Sequence, residues 1–286
     1  MTTQQLTTAL AQALGPAYPE AEAQAIAALV TETLLELTPL QRRMRAAEPV
    51  PPAVAAQLPQ VQARLLAHEP VQYVLGQAHF AGLVLEVTPA TLIPRPETEE
   101  LAQLITQANA QRAGLTVLDV GTGSGCLALA LALGLPQPAR VLGVDISAEA
   151  LAVARRNAAR YAAQVEFQQL DILQASIAGL APGTLDVLVS NPPYVRDSER
   201  AQMRDNVLDW EPATALFVPD TDPLLFYRRL AALAADLLQT GGQVWLEINE
   251  ALGLSTAALF GPAQFRHVEV LADFFGRPRF VRATRA

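Results

Sequence analysis

The sequence predicts an α/β protein with a doubly wound, mostly parallel sheet, preceded by a small helical domain. Three observations predict it. Beyond Pro89, short runs of branched and apolar residues alternate with amphipathic helical stretches. Before Pro70 the periodicity is helical and broken by prolines. The chain has 286 residues, 51% of them hydrophobic and 17% charged, which is enough apolar mass for one large core and one smaller core.

In chain order, Leu6, Leu10 and Leu14 fall on one face at four-residue spacing. Ile26, Val30, Leu34 and Leu37 repeat the pattern, with Glu20, Glu22, Glu32 and Glu36 left for the wet face. Pro39, Pro51, Pro52 and Pro59 punctuate the later helical segments, so residues 1–70 are expected to form a helical domain. Val71-Gln72-Tyr73-Val74 and Leu83-Val84-Leu85-Glu86-Val87 both look strand-like around Gly76 and Gly82. They predict a β-hairpin connector over residues 71–89. Residues 90–286 form the α/β domain, with strands expected at 116–120, 141–145, 164–169, 185–190, 243–248, 268–271 and 280–282. Helices are expected between most of them, at 97–109, 148–160 and 224–238. No fixed-period repeat occurs.

Composition removes several chemistries. All 20 basic residues are arginine, so there is no lysine for a Schiff base, a general base or a Walker-A loop. Cys126 is the single cysteine, and His68, His79 and His267 are scattered, so no metal site is expected. The formal charge of −8 argues against direct nucleic-acid binding. The first basic residue is Arg42 and no apolar run approaches the ~20 residues of a membrane span, so a cytoplasmic, reducing setting with no membrane partner is expected.

Val117 to Val120 run as a strand into Gly121-Thr122-Gly123-Ser124-Gly125-Cys126. This G-x-G-x-G spacing departs from the dinucleotide fingerprint, and Asp119, two places before the first glycine, shifts the expectation toward S-adenosylmethionine enzymes. Asp145 ends the next strand, where its carboxylate can accept both hydroxyls of a ribose or, alternatively, serve as a helix-start acid. Asp171 could accept an adenine amino group and Ile172 pack on the ring; an ordinary polar loop is the alternative. The fourth strand runs into Asn191-Pro192-Pro193-Tyr194. There the Asn191 side-chain carbonyl and the Pro192 carbonyl are two acceptors for a planar NH₂ group, with the Tyr194 ring for its face.

With those residues in place, the chain resembles the class I methyltransferases that modify planar nitrogens, and within them the glutamine N5-methyltransferases of peptide-chain release factors. Further stretches support the narrower match: Glu69-Pro70-x-x-Tyr73-x-x-Gly76-x-x-x-Phe80, Leu92-Ile93-Pro94-Arg95-Pro96-Glu97-Thr98-Glu99, and Glu211-Pro212-x-x-Ala215-Leu216. The resemblance implies a seven-stranded class I methyltransferase sheet, S-adenosyl-L-methionine as cofactor, and release factors as protein partners through the glutamine of a Gly-Gly-Gln loop. It implies cofactor binding by Gly121, Thr122, Gly123, Ser124, Gly125, Asp145, Asp171, Ile172 and Asn191. It also implies acceptor binding by Asn191, Pro192, Pro193 and Tyr194, with Asn191, Pro192 and Tyr194 catalytic. Two positions depart from the family pattern: Asn249 where glycine is common, and Pro278 where an acid is usual. The alternatives are a ribosomal-protein glutamine methyltransferase, an adenine-N6 nucleic-acid methyltransferase, and a non-catalytic nucleoside-binding adaptor.

Overall fold

The computed structural model describes residues 1–138 and 140–286, which form two compact units. Met1–Gly76 and Arg204–Trp210 make the first; Gln77–Met203 and Glu211–Ala286 make the second.

The first unit holds α1 (Thr3–Leu14), α2 (Glu20–Leu34), α3 (Pro39–Met44), α4 (Pro52–Ala55), α5 (Leu58–Leu66) and α6 (Val71–Leu75). The α1 stripe predicted from sequence is buried: Leu10 and Leu14 pack with Ala27, Val30, Val61, Leu65 and Val74. Thr2 and Thr38 open α1 and α3 through capping boxes with Gln5 and Gln41, satisfying helix N–H groups that have no intrahelical partner. Val71–Leu75 is a helix and not the first strand of a connector. Pro70 opens this short turn and Gly76, at φ 70°, closes it in the left-handed region. Arg64 holds it, donating to the Glu69 carboxylate and to the carbonyls of Tyr73 and Val74. The hairpin is confined to β1 (Gln77–Phe80) and β2 (Leu83–Glu86), both in the second unit.

The second unit continues with α7 (Pro96–Ala108), β3 (Thr116–Val120), α8 (Cys126–Gly134), β4 (Arg140–Asp145), α9 (Ala148–Arg160), β5 (Glu166–Gln169), β6 (Leu185–Ser190) and β7 (Val195–Arg196). After α10 (Asp205–Leu208), which belongs to the first unit, come α11 (Ala213–Leu216), β8 (Phe217–Val218), α12 (Leu225–Leu237), β9 (Leu238–Glu247), α13 (Gly253–Ala257), β10 (Phe265–Ala272) and β11 (Pro278–Arg285). The seven-stranded sheet has the order β10-β11-β9-β6-β3-β4-β5, parallel from β9 to β5 and antiparallel at β11 and β10. The last three strands run longer than their apolar runs. Their ends carry polar residues such as Gln239, Arg266 and Thr284, and in β10 and β11, the antiparallel margin of the sheet, one face can stay wet.

Both faces of the central strands are covered. Val117, Val187, Val189, Trp245 and Phe280 pack with α7 and α8 on one side. Leu118, Val120, Leu142, Val144, Leu188 and Leu246 pack with α12 on the other. This explains why β6 is apolar at consecutive positions from Val187 to Val189 and has all six residues buried. Among the described residues no helix is long and apolar enough to cross a membrane.

Chain order sets where a ligand can collect. The path β3, β4, β5 steps outward one way, and β6 then returns to the other side of β3, which creates a switch point. Val120 lies opposite Ser190, and the Ser190 hydroxyl donates to the Val120 carbonyl at 2.7 Å. The loops beginning at Gly121 and Asn191 therefore start side by side. Buried Asn157 of α9 lashes the hairpin to the first of these loops: its amide NH₂ donates to the carbonyls of Glu86 and Ser124, and its oxygen accepts from the Glu86 N–H.

Gly125 is the pivot between the glycine loop and α8. At φ 82°, a Cβ there would sit 2.8 Å from Leu129 Cδ1 and 3.2 Å from Ala154 Cβ. Leu129 and Ala154 are fully buried, so neither can yield freely. Gly125→Ala is expected to lower the unfolding free energy by roughly 1–3 kcal/mol in chemical denaturation; a loss under about 0.5 kcal/mol would contradict tight packing at this position.

Candidate active site

A cavity of about 610 Å³ opens at the switch point over the carboxyl ends of β3, β4, β5 and β6. Residues 121–124, 145–147, 170–173 and 190–193 line it, together with residues 90–92, Pro94, Arg95 and Thr98 on one side and Pro212, Thr214, Ala215 and Phe217 on another.

The glycine loop is built from the backbone outward. The N–H groups of Gly121 and Thr122 both donate to the Val144 carbonyl, at 2.8 and 3.0 Å, and fold the loop back across β4. Asp119 anchors it from below: its Oδ2 accepts from the Thr122 hydroxyl at 2.6 Å and from the Ala128 N–H at 3.2 Å. Asp119 is fully buried, and desolvation pushes its carboxyl up to about 7. It builds the loop and does not line the cavity. Cys126 does line it, but burial, reinforced by Asp119, pushes the thiol up to about 12, so it is not a thiolate nucleophile near neutral pH.

Asp145 reaches the cavity from the tip of β4. Its two oxygens accept from the N–H groups of Gly123 and Ser147, at 2.8 and 2.9 Å. Burial raises its pKa, opposed by those backbone bonds. The α9 cap is Ser147, whose hydroxyl accepts from Ala150 N–H, so the helix-start role falls to Ser147 and not to Asp145. Each Asp145 oxygen retains a lone pair for a further donor. Asp171 similarly accepts from Leu173 N–H and Gln174 Nε2, while Leu170, Ile172 and Leu173 give that end of the cavity its apolar surface.

At the other end, Asn191 and Pro192 leave β6 into the cavity wall. Asn191 Nδ2 donates to Thr98 Oγ1 at 3.0 Å, and the Thr98 hydroxyl donates onward to Glu247 Oε2 at 2.7 Å. Among the described residues, nothing donates to the Asn191 side-chain oxygen or to the Pro192 carbonyl. Tyr194 donates from its hydroxyl to Glu247 Oε1 at 3.1 Å. It lies outside the cavity lining, as does Gly125; the other sequence-predicted site residues are brought together there. Glu247 is 1% exposed, and burial pushes its carboxyl up to about 7 despite the Thr98 and Tyr194 bonds.

Sequence reasoning missed Thr98, Glu247 and a latch between two walls. Glu211 accepts from Arg95 at 2.5 Å and from the Ile93 N–H at 3.2 Å, tying residues 92–95 to the segment beginning at Pro212. The signal for Glu247 was an acid inside the apolar run Val244–Ile248; its partner is distant in sequence and leaves no local periodicity. The two departures from the family pattern are accommodated. Asn249 has φ −64°, caps the turn at Glu250–Leu252, and donates to the carbonyl of Tyr194. Pro278 is the first residue of β11, where a missing N–H is tolerated. Arg277, Arg279 and Arg282 have acidic neighbours in Asp273, Glu97 or Glu269, and Arg285 donates to the Gln264 carbonyl, so the C-terminal basic cluster is internally engaged.

Two family models match the chain: a PrmC N-terminal domain over residues 5–76 and a methyltransferase domain over residues 111–231. Over 280 residues, 98% of this chain and 99% of the relative, the sequence is 42% identical to the release factor glutamine methyltransferase of Bacteroides thetaiotaomicron. The chain belongs to the release factor glutamine methyltransferase family. A second member, from Flavobacterium psychrophilum, is 39% identical over 77% of this chain and 76% of its own length. A methyltransferase from Pyrococcus furiosus shares the fold, with a TM-score of 0.52 and 23% identity over 79% of this chain and 98% of that one.

The buried acid gives a pH test. Glu247 titrates at about 7 in the folded chain, up from 4.5. Between those values the folded state holds a proton that the unfolded state has released, so this group's contribution to stability falls as pH rises and the full penalty is present above about 7. Relative to the wild type, Glu247→Gln is expected to gain on the order of 2 kcal/mol between about pH 5 and about pH 8 in denaturation experiments. A difference that does not change with pH would contradict the assignment.

Proposed function

We propose that the chain transfers a methyl group from S-adenosylmethionine to the side-chain N5 of the glutamine in the Gly-Gly-Gln motif of peptide-chain release factors. One observation carries the site assignment: Asn191 spends its NH₂ on Thr98 while lining the cavity, leaving its carbonyl oxygen, beside that of Pro192, as an acceptor pair.

The residues fit the cofactor. Asp145 offers carboxylate oxygens at the strand tip where ribose hydroxyls need acceptors, and the apolar wall of Leu170, Ile172 and Leu173 beside Asp171 suits a purine with an amino edge. When bound, the donor supplies an electrophilic sulfonium methyl. The protein's part is to present a poor nucleophile. A carboxamide nitrogen has a delocalised lone pair, and holding both of its N–H bonds in the carbonyls of Asn191 and Pro192 fixes its approach. The same two oxygens stabilise the positive charge that develops on the nitrogen. The N-protonated amide that results is acidic enough to lose its proton to water, so no strong base is required. Tyr194 enters this reading as an anchor of the Asn191–Pro193 segment through Glu247, since its hydroxyl is committed there.

Residues 1–70 are read as the protein-recognition domain, because a folded partner needs an interface far larger than a four-residue clamp. The engaged C-terminal arginines weigh against a phosphate groove and so against the nucleic-acid alternative. The proposed setting is the cytosol, where release factors work.

Mass spectrometry of a Gly-Gly-Gln release factor incubated with labelled donor tests this directly, with a single added methyl group expected on the glutamine. Asn191→Ala should cut turnover by roughly 100-fold or more while donor affinity stays within about threefold. Asp145→Ala should instead weaken donor binding by about tenfold or more. Wild-type turnover in Asn191→Ala would reject the clamp.

A further inference from the structure

We infer, on the clamp reading above, that Thr98 and Glu247 are positioning residues for methyl transfer: Glu247 takes the hydroxyl hydrogen of Thr98, and the Thr98 oxygen then holds the Asn191 amide with its carbonyl toward the acceptor. An asparagine amide has two ends of nearly equal size and opposite polarity. Turned by 180°, Asn191 would offer N–H groups to the substrate's own N–H groups and repel it. The clamp works only if something selects one orientation.

Thr98 alone cannot select it, because a hydroxyl both donates and accepts. An ionised carboxylate only accepts, so Glu247 breaks the symmetry. With Thr98 Oγ1 to Glu247 Oε2 at 2.7 Å, the hydroxyl's one hydrogen is committed, and Asn191 must donate to it, as it does at 3.0 Å. Glu247 is itself held. Tyr194 donates to Oε1 at 3.1 Å, and Tyr227 donates to the Glu247 backbone carbonyl at 3.3 Å. Thr98 is 2% exposed in the first turn of α7, and Glu247 sits at the end of β9, so the relay joins two rigid elements. Low local polarity strengthens each link and makes a reversed amide costly.

The test uses full-length protein at about pH 8, where Glu247 is ionised, with saturating labelled donor and a Gly-Gly-Gln release factor. It compares Thr98→Val, Thr98→Ser, Glu247→Gln and Asn191→Ala for kcat, acceptor KM, donor Kd by calorimetry, and melting temperature. Thr98→Val keeps the shape and loses the hydroxyl, so kcat should fall about tenfold or more with donor Kd within about threefold. Thr98→Ser restores the hydroxyl without the methyl group and should recover most of that loss. Glu247→Gln can offer an N–H to Thr98, so it should lower kcat as Thr98→Val does. If Thr98→Val does not fold, Glu247→Gln decides by the same thresholds. The inference is overturned if kcat stays within about threefold of wild type, if Thr98→Ser loses as much as Thr98→Val, or if donor Kd rises in step with the loss. An inactive Asn191→Ala beside an active Thr98→Val overturns only this relay. An active Asn191→Ala overturns the clamp itself.

Discussion

The return of β6 to the open side of β3 is the constraint on which the rest depends. Once Val120 and Ser190 are register partners, and the Ser190 hydroxyl is bonded to the Val120 carbonyl, two loops of different chemistry leave the sheet at neighbouring points. One is made of backbone that can approach a ligand closely; the other carries carbonyl acceptors. Neither loop is a site alone. The parallel topology places them a strand spacing apart and leaves the cavity between them.

That cavity is supported by acids placed where acids are costly. Asp119 and Glu247 are both buried, and desolvation pushes both up to about 7. Each sits directly beneath one of the two loops and accepts from a threonine hydroxyl, Thr122 in one case and Thr98 in the other. A core shaped only by stability would place apolar residues there. The chain instead tolerates two expensive groups that are hydrogen-bonded to the residues supporting its loops, which is the pattern expected where function and stability compete.

The fold was largely legible in the sequence because the central strands are buried on both faces. The runs ending at Val120, Asp145 and Ser190 are mostly apolar on both faces, and the turns that follow carry glycine, serine or proline. The segment at Val71–Leu75 was not legible as a helix. Five residues are too few to show a period, and what decides their conformation is Gly76 and a guanidinium from α5. The cavity-lining loops were legible for a similar reason: each is short and local. Gly125 and Tyr194 looked like contacts because they share a motif with residues that line the cavity, yet one is spaced for helix packing and the other is turned to Glu247. Thr98 and Glu247 come together from elements 149 residues apart, a proximity that no local pattern encodes.

The proposed mechanism stands on a carboxamide nitrogen held by two carbonyl oxygens at the tip of β6. The most direct measurement is a crystal structure with the demethylated donor product and a Gly-Gly-Gln substrate bound together. The glutamine nitrogen should lie about 2.7–3.2 Å from both the Asn191 side-chain oxygen and the Pro192 carbonyl oxygen, with Asn191 Nδ2 still on Thr98. A glutamine bound with its nitrogen away from both oxygens, or an Asn191 presenting its NH₂ to the substrate, would contradict it.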